Sequence, residues 1–221
     1  MFERIKKAFS GAPAMRESDD GLAQWAFNHM LSHHRLADGA TVAEGMLHDK
    51  PFKVGCAPST RSYIVGVELM ARAELGLRDD VNVILMHRTL KRALDKVAAM
   101  LFNEVTDTLR TTDRPLPEEI TWLSMYRDAG WPGPSADFWS RYCVLTDAPE
   151  VAREWLDDAA VRQLLDMPAE LRPVTPFLVA LTRGKLYLHL QMEQADDGVI
   201  SHPVLDAFEA LSARALRLFG R

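Results

Sequence analysis

The chain has 221 residues, of which 48% are hydrophobic and 26% are charged, so it is long enough to build a core without metals or disulfides. Its net charge of -5 disfavours nucleic-acid binding, which relies on positive charge to neutralise phosphates, and it has no zinc-finger spacing or basic recognition helix. The basic start is not followed by an apolar region, and no apolar run is near the roughly 20 residues that cross a bilayer, so we expect a cytoplasmic protein without a signal peptide or transmembrane segment.

Residues 1–18 are predicted to form a tail. The tail carries a short amphipathic pattern in which basic side chains flank an apolar face made of Phe2, Ile5 and Phe9. Such a helix can lie on a membrane or dock on a partner, and the same pattern occurs in frayed termini and in struts packed on their own domain. The sequence leaves these alternatives open.

The first predicted helix begins at Asp19 or Asp20, which can cap it, and runs to about Leu36. His29 and His33 lie four residues apart on this helix, a spacing at which both imidazoles can reach one metal ion. They are weak metal candidates, because Met30 stands where a catalytic zinc helix carries glutamate. His34 adds a nearby nitrogen, and a further ligand would have to come from elsewhere, such as His48 or Asp49.

Residues 40–86 change to the two-residue period of strands and predict a four-strand antiparallel sheet with one face in water. The longest strand, Tyr63–Glu74, alternates apolar side chains with Glu68, Arg72 and Glu74. Before it, the segment from Cys56 to Arg61 resembles a cysteine-phosphatase loop, but it has four residues between the cysteine and the arginine where that loop has five. A strand connection is therefore expected there.

The rest of the chain alternates helices and strands. Leu90, Leu94, Val97 and Leu101 predict an amphipathic helix, and the polar residues 111–117 after it predict a subdomain boundary. The second subdomain is predicted to contain these elements in order: a helix from Pro117, a strand over Phe138–Leu145, helices opened by Asp147 and Pro149 and by Asp157 or Asp158, a hairpin, and a last helix capped by Ser201. The predicted class is α+β, with antiparallel sheets and flanking helices in two small sheet-and-helix subdomains, 19–110 and 117–221.

The hairpin has the clearest pattern in the chain. Two strand-like runs, Phe177–Thr182 and Lys185–Glu193, meet at the turn Arg183-Gly184. The second run places Leu186, Leu188, Leu190 and Met192 on one face, which we expect to pack on the last helix. Its other face carries the candidate ligand-binding residues Tyr187, His189, Gln191 and Glu193.

Residues 138–190 resemble a bacterial family of proteins of unknown function. The resemblance rests on Phe138-Trp139-Ser140-Arg141-Tyr142-Cys143-Val144-Leu145-Thr146-Asp147, on Glu150, Ala152, Leu156 and Val161, on Leu164-Leu165, and on Gly184-Lys185-Leu186-Tyr187. It implies an α/β module and no activity.

The catalytic templates fail on spacing or context. The chain has no Gly-x-Ser-x-Gly turn and no glycine-rich phosphate loop, and its paired carboxylates lie at predicted helix starts or turns. We therefore expect a non-catalytic protein-interaction or ligand-binding module of the bacterial cytoplasm, without a cofactor.

Two alternatives remain. One is a hydrolase-like enzyme that uses the polar hairpin face, in which His189 titrates near neutrality if Glu193 or Glu68 comes close. A deep pocket at His189 with a second titratable group would favour this enzyme, and a flat open sheet would exclude it. The other is self-association through Trp122, Trp131 and Trp139, since large aromatic side chains anchor interfaces.

Overall fold

The computed structural model describes residues 21–37, 39–108, 117–194 and 197–220, with the main chain alone over 102–108. The predicted tail, the capping residues Asp19 and Asp20, and residues 111–116 of the predicted boundary lie outside the described residues. Among the helices that are described, none has the length and apolar character needed to cross a membrane.

The described residues form nine strands and seven helices. The strands are β1 (Ser32–Arg35), β2 (Thr41–Leu47), β3 (Lys50–Pro58), β4 (Val67–Ala73), β5 (Val83–His87), β6 (Arg127–Ala129), β7 (Tyr142–Thr146), β8 (Phe177–Thr182) and β9 (Lys185–Met192). The helices are α1 (Gly21–Asn28), α2 (Arg88–Thr108), α3 (Glu118–Met125), α4 (Ala136–Arg141), α5 (Pro149–Trp155), α6 (Asp158–Leu165) and α7 (Gly198–Phe219).

All nine strands join one antiparallel sheet in the order β1-β2-β3-β4-β9-β8-β5-β7-β6, so the α+β class is confirmed. The four-strand sheet expected over residues 40–86 is wrong in its pairing, because the hairpin β8–β9 lies between β4 and β5. Every residue of β5 and of β8 is buried, which is the property of central strands covered on both faces. Strands from both sides of the predicted boundary thus pair in the same sheet.

One face of the sheet, here called the α7 face, packs on the last helix. The even-numbered side chains of β9 are at most 2% exposed and share a core with the apolar stripe of α7: Leu186, Leu188, Leu190 and Met192 against Val204, Phe208, Leu211 and Ala215. The expected contact between hairpin and last helix is present. Burying those four strand side chains contributes roughly 6–12 kcal/mol before conformational entropy is subtracted.

The opposite face, here called the groove face, is covered only in part by described helices. Helices α2 and α3 pack on β5, β7 and β8 through a second core that includes Ile84, Leu90, Trp122, Cys143 and Leu178. No described helix lies over this face of β2, β3 and β4. The sheet is therefore exposed beside α3.

The first helix is shorter than predicted: α1 ends at Asn28 and not near Leu36. Met30 takes a left-handed φ of 56°, and the Leu31 N–H donates to the Ala26 carbonyl, which is the geometry of a helix C-terminus. The following residues pair with β2 as strand β1. His29 and His33 therefore do not share a helix.

Two other predicted boundaries are wrong. The last helix is capped by Asp197 and not by Ser201, since Asp197 Oδ1 accepts hydrogen bonds from the N–H groups of Val199 and Ile200. The predicted strand Phe138–Leu145 begins as helix α4, which the Ser135 hydroxyl caps, before β7 starts at Tyr142. The Asp157 cap of α6 is present as expected, with its carboxylate accepting from the Ala160 N–H at 3.0 Å.

Candidate functional site

The exposed part of the groove face holds a cavity of about 880 Å³, here called the groove. Its floor is low where β3 presents the small residues Gly55 and Ala57, and Met70 of β4 lies opposite Gly55. Trp122 of α3 and Tyr187 of β9 line it as well. The groove thus offers an apolar floor beside aromatic side chains.

A partly buried hydrogen-bonded network lies at one side of the groove, here called the Glu68 network: Ser59, Arg61, Tyr63, Glu68, Glu119 and His189. Glu68 on β4 and His189 on β9 are diagonal neighbours on the groove face, because Met70 is the residue directly opposite His189. Glu68 is fully buried, and His189 is 7% exposed.

The hydrogen bonds of His189 fix its tautomer. Its Nε2 lies 3.2 Å from Nη2 of Arg61, and its Nδ1 lies 2.8 Å from Oε1 of Glu68. Because a guanidinium only donates, Nε2 accepts, and the ring proton on Nδ1 is donated to Glu68. The imidazole is thus oriented by a carboxylate on one side and a guanidinium on the other.

Arg61 connects the two carboxylates of the network. Its Nε donates to Glu119 Oε1 at 3.0 Å, and its Nη1 lies 3.2 Å from Glu68 Oε1. The hydroxyls of Ser59 and Tyr63 donate to Glu68 and Glu119, each at 2.7 Å. One guanidinium and two hydroxyls therefore satisfy two buried carboxylates.

The loop between β3 and β4 positions three members of the network. The predicted strand Tyr63–Glu74 begins only at Val67, because Gly66 has a φ of +84° and its carbonyl accepts from the Ser59 N–H at 2.9 Å. The Arg61 N–H donates to the Ser59 hydroxyl at 3.0 Å, which tightens the turn. Side chains of this loop can then reach over the sheet.

The network shifts the pKa values of its members in opposite directions. Burial acts to raise the pKa of Glu68, but hydrogen bonds from His189 and Ser59 and the charge of Arg61 outweigh it, so that pKa is lowered. Burial acts to lower the pKa of Arg61, and the charges of Glu68, Tyr63 and Glu119 outweigh it and raise that pKa. The pKa of Tyr63 is raised, first by burial and then by the charge of Glu119. At neutral pH the carboxylate and guanidinium are therefore charged and the phenol is neutral.

The four candidate residues of the hairpin are divided between two places. Tyr187 and His189 line the groove. His189 is buried and does not lie on a solvated sheet face, which was the alternative expectation. Gln191 accepts a hydrogen bond from the Val65 N–H at 2.8 Å, and exposed Glu193 lies 3.3 Å from Arg172. Neither Gln191 nor Glu193 lines the groove.

The reasoning from sequence missed Arg61 and Glu119 as site residues. Glu119 looked like a helix-start carboxylate, which it also is, and Arg61 was considered only with Cys56. In the structure Cys56 packs in the core of the α7 face, away from the groove face. The available signal was the loop Ser59-Thr60-Arg61-Ser62-Tyr63, which is rich in hydrogen-bonding side chains between two strands.

The Cys143 thiol and the two metal candidates, His29 and His33, lie outside the groove network. Burial raises the pKa of the Cys143 thiol to about 12, so this thiol is unreactive at neutral pH. His33 is paired with Ala43 in the sheet, while His29 lies beside Asp206 and Glu209 of α7. The two predicted metal candidates are not brought together.

The three tryptophans proposed for self-association have different surroundings. Trp122 is buried in the second core at 4% exposure. Trp131 and Trp139 are half-buried and pack edge to face, with ring centroids 5.0 Å apart. Self-association stays a prediction, and its candidate aromatic surface is reduced to the last two.

Comparison with known proteins finds no match for this chain among family models, curated proteins or solved structures. The resemblance of residues 138–190 to a bacterial family of unknown function therefore stays a prediction.

Proposed function

We propose that this chain is a ligand-binding module whose groove holds a small, neutral, amphipathic molecule. The observation that carries the proposal is an apolar groove with a pre-organised polar network at one side. Its volume of about 880 Å³ lies within the range of about 300–1,000 Å³ that small-molecule sites occupy. An apolar concavity with a few convergent polar groups is the usual form of such a site.

The charges of the lining favour a neutral ligand. Each charged side chain that lines the groove has an oppositely charged partner: Lys53 with Glu44, Arg72 with Glu74, Arg183 with Glu118, and Arg61 with Glu68 and Glu119. A charged ligand that displaced Glu68 or Glu119 from Arg61 would leave a buried charge without its partner, which is costly.

Arg61 is the proposed contact for the polar end of the ligand. It carries five N–H donors. Nε contacts Glu119, Nη1 contacts Glu68 and Nη2 contacts His189, so three of the five donors are engaged. Its side chain is 28% exposed, so the remaining donors can reach a carbonyl or hydroxyl oxygen in the groove. The apolar part of the ligand would then lie on Met70 and against Trp122.

We assign this module to the bacterial cytoplasm. Cys56 and Cys143 are both buried, which fits proteins of a reducing compartment, where thiols persist in the core.

Binding of the neutral fluorophore N-phenyl-1-naphthylamine tests the proposal. We expect saturable binding of one probe per chain, weakened at least about tenfold by Met70→Trp, which fills the floor of the groove. The matched control is Met125→Trp, at a side chain of α3 that is 61% exposed and does not line the groove. Absence of saturable binding, or equal affinity in the two variants, would contradict the proposal.

A hydrolase is the second candidate, because His189 lies at the groove beside Glu68, as a general base oriented by a carboxylate does. Two contacts favour binding over hydrolysis: Arg61 already donates to Nε2 of His189, and the Ser59 hydroxyl donates to Glu68 rather than to the imidazole. Turnover of a p-nitrophenyl ester that His189→Gln abolishes would favour the hydrolase. Probe binding without turnover supports the module.

A further inference from the structure

We propose that His29, Asp206 and Glu209 form a site for one divalent transition-metal ion of the zinc type. These three side chains lie where α1 meets α7, on the face of the sheet opposite the groove. One ligand atom from each lies within 4.8 Å of the other two. The site is independent of the proposed ligand-binding function.

His29 is oriented as a metal ligand. Its ring stacks on the indole of Trp25, with centroids 3.8 Å apart and planes at 19°, and its Nδ1 lies 2.8 Å from the Trp25 carbonyl oxygen. A carbonyl only accepts, so Nδ1 carries a proton, and Nε2 is the ring nitrogen left to bind a metal ion or a second proton. A ring N–H held by a backbone carbonyl is the usual outer contact of a metal-bound histidine.

Helix α7 supplies two carboxylates to the same point. Asp206 and Glu209 are three residues apart and share one side of the helix. The indole N–H of Trp25 donates to Asp206 Oδ1 at 2.8 Å, which orients this carboxylate as the carbonyl orients the histidine. Glu209 Oε2 lies 3.0 Å from His29 Nε2.

This short distance needs an intervening positive charge. A neutral Nε2 and a carboxylate oxygen both present lone pairs, so a 3.0 Å separation is favourable only with a proton or a metal ion between them. Ligand atoms in a tetrahedral zinc site lie about 3.3 Å apart, given zinc–ligand distances of about 2.0–2.1 Å. The contact between His29 and Glu209 is already near that value, and the Asp206 ligand atom lies within 4.8 Å of both.

His48 adds a possible fourth ligand. Its Nε2 lies 3.8 Å from Glu209 Oε1. It occupies the two-residue turn between β2 and β3, where His48 and Asp49 take positive φ values of 51° and 59°. Asparagine, aspartate and histidine are the residues other than glycine that most often take such φ values, so His48 fits this turn and places its ring beside the cluster.

The donor set selects the class of ion. Imidazole with carboxylate oxygens suits zinc and its neighbours in the first transition row, whereas magnesium and calcium prefer oxygen ligands alone. All three side chains are at least partly exposed, so an ion can enter from solvent. A bound ion would tie α1 to α7 and, through His48, to the β2–β3 turn.

Zinc titration of the tag-free, chelator-treated full chain tests this site. We expect one Zn²⁺ per chain by calorimetry, no comparable binding of Mg²⁺, and a rise in melting temperature of about 5–10 °C when free Zn²⁺ is 100 times its dissociation constant. His29→Gln and Glu209→Gln keep hydrogen-bonding groups in place and should each weaken binding at least about tenfold. His34→Gln, at an exposed histidine of β1, is the matched control and should bind zinc as the unmodified chain does.

A measurement on the unmodified chain covers the case in which a variant fails to fold. Zinc should move the imidazole ¹⁵N resonance of His29 Nε2 and leave that of His34 in place. No stoichiometric zinc at micromolar concentrations, or zinc binding that leaves the His29 resonance and both variants unaffected, would overturn the site and leave a protonated His29–Glu209 ion pair. These results do not depend on whether the groove binds a ligand.

Discussion

Glu68 is a side chain whose burial differs from what the alternating pattern of its strand predicts. It lies on the polar side of the alternation in β4, yet it is fully buried, because the loop that carries Ser59 and Arg61 folds over it. A buried carboxylate without partners would cost several kcal/mol. Glu68 is stable there because Ser59, Arg61 and His189 all contact it.

Glu68→Gln is expected to lower the free energy of unfolding by about 3 kcal/mol at pH 7, since it removes one of the two buried carboxylates that pair with Arg61 and leaves Glu119 as the other. The folded-state pKa of Glu68 is lowered, so its contribution is fully present above the unfolded-state pKa of about 4.3 and is lost as the pH falls through the folded-state value. Urea unfolding at pH 7, 5, 4 and 3.5 should show the difference between variant and unmodified chain narrowing below about pH 4.

The matched control is Glu74→Gln, at a half-buried residue that pairs with Arg72 and Lys185. Such surface pairs contribute about 0–1 kcal/mol. Equal losses in the two variants, or a Glu68→Gln difference that does not vary with pH, would contradict the role given to the Glu68 network.

Helix α7 shows that the position of an element is set by its cap as well as by its apolar stripe. Both Asp197 and Ser201 are residue types that cap helices, and the stripe from Val204 to Phe219 fits either start. The structure uses Asp197, and Ser201 is buried in the first turn with a hydroxyl that has no hydrogen-bond partner. The extra turn brings Ile200 into the core of the α7 face.

Asp197→Ala is expected to lower the free energy of unfolding by about 1 kcal/mol, because two N–H groups of the first helical turn lose their acceptor. Ser201→Ala should leave stability unchanged or raise it slightly, since it removes a buried polar atom that has no partner. Thermal unfolding of both variants, with Asp197→Asn as the conservative control, measures the difference. A larger loss of unfolding free energy in Ser201→Ala than in Asp197→Ala would show that Ser201 is the cap.

The molecule as a whole is organised by one continuous sheet. Strand β4, before the predicted boundary, pairs with β9 after it over seven residues, and β8 in turn pairs with β5. The core of the α7 face contains side chains from both sides of the boundary. Pairing of this kind couples the two regions, because neither can unfold without exposing strand edges and apolar surface of the other.

We expect the chain to unfold in urea as one cooperative transition. Val54→Ala on β3 and Val179→Ala on β8 remove equal groups from buried positions on either side of the boundary, and each should cost about 2 kcal/mol. Both should shift the same midpoint, seen alike by tryptophan fluorescence and by far-ultraviolet circular dichroism. Two transitions, each shifted by only one of the substitutions, would show that 19–110 and 117–221 unfold as separate subdomains.

Local patterns in the sequence were sufficient for the α+β class, for the hairpin at Arg183-Gly184 and for a helix cap at Asp157 or Asp158, of which the structure uses Asp157. Each depends on residues close in sequence: alternation places side chains on one face or the other, and a capping side chain reaches only the next turn. The leucine face of β9 also predicted its own partner, because an apolar strand face and an apolar helix stripe must both leave water.

Only the tertiary structure decided the order of the strands, the end of α1 and the surroundings of His189. The alternation of side chains predicts on which face of its strand His189 lies. What covers that face depends on Arg61 and Glu119, which are 128 and 70 residues away in sequence. Likewise, the residues after Met30 leave the helix because β2 offers them strand pairing. Such choices are made by non-local contacts, whose energy no short stretch of sequence contains.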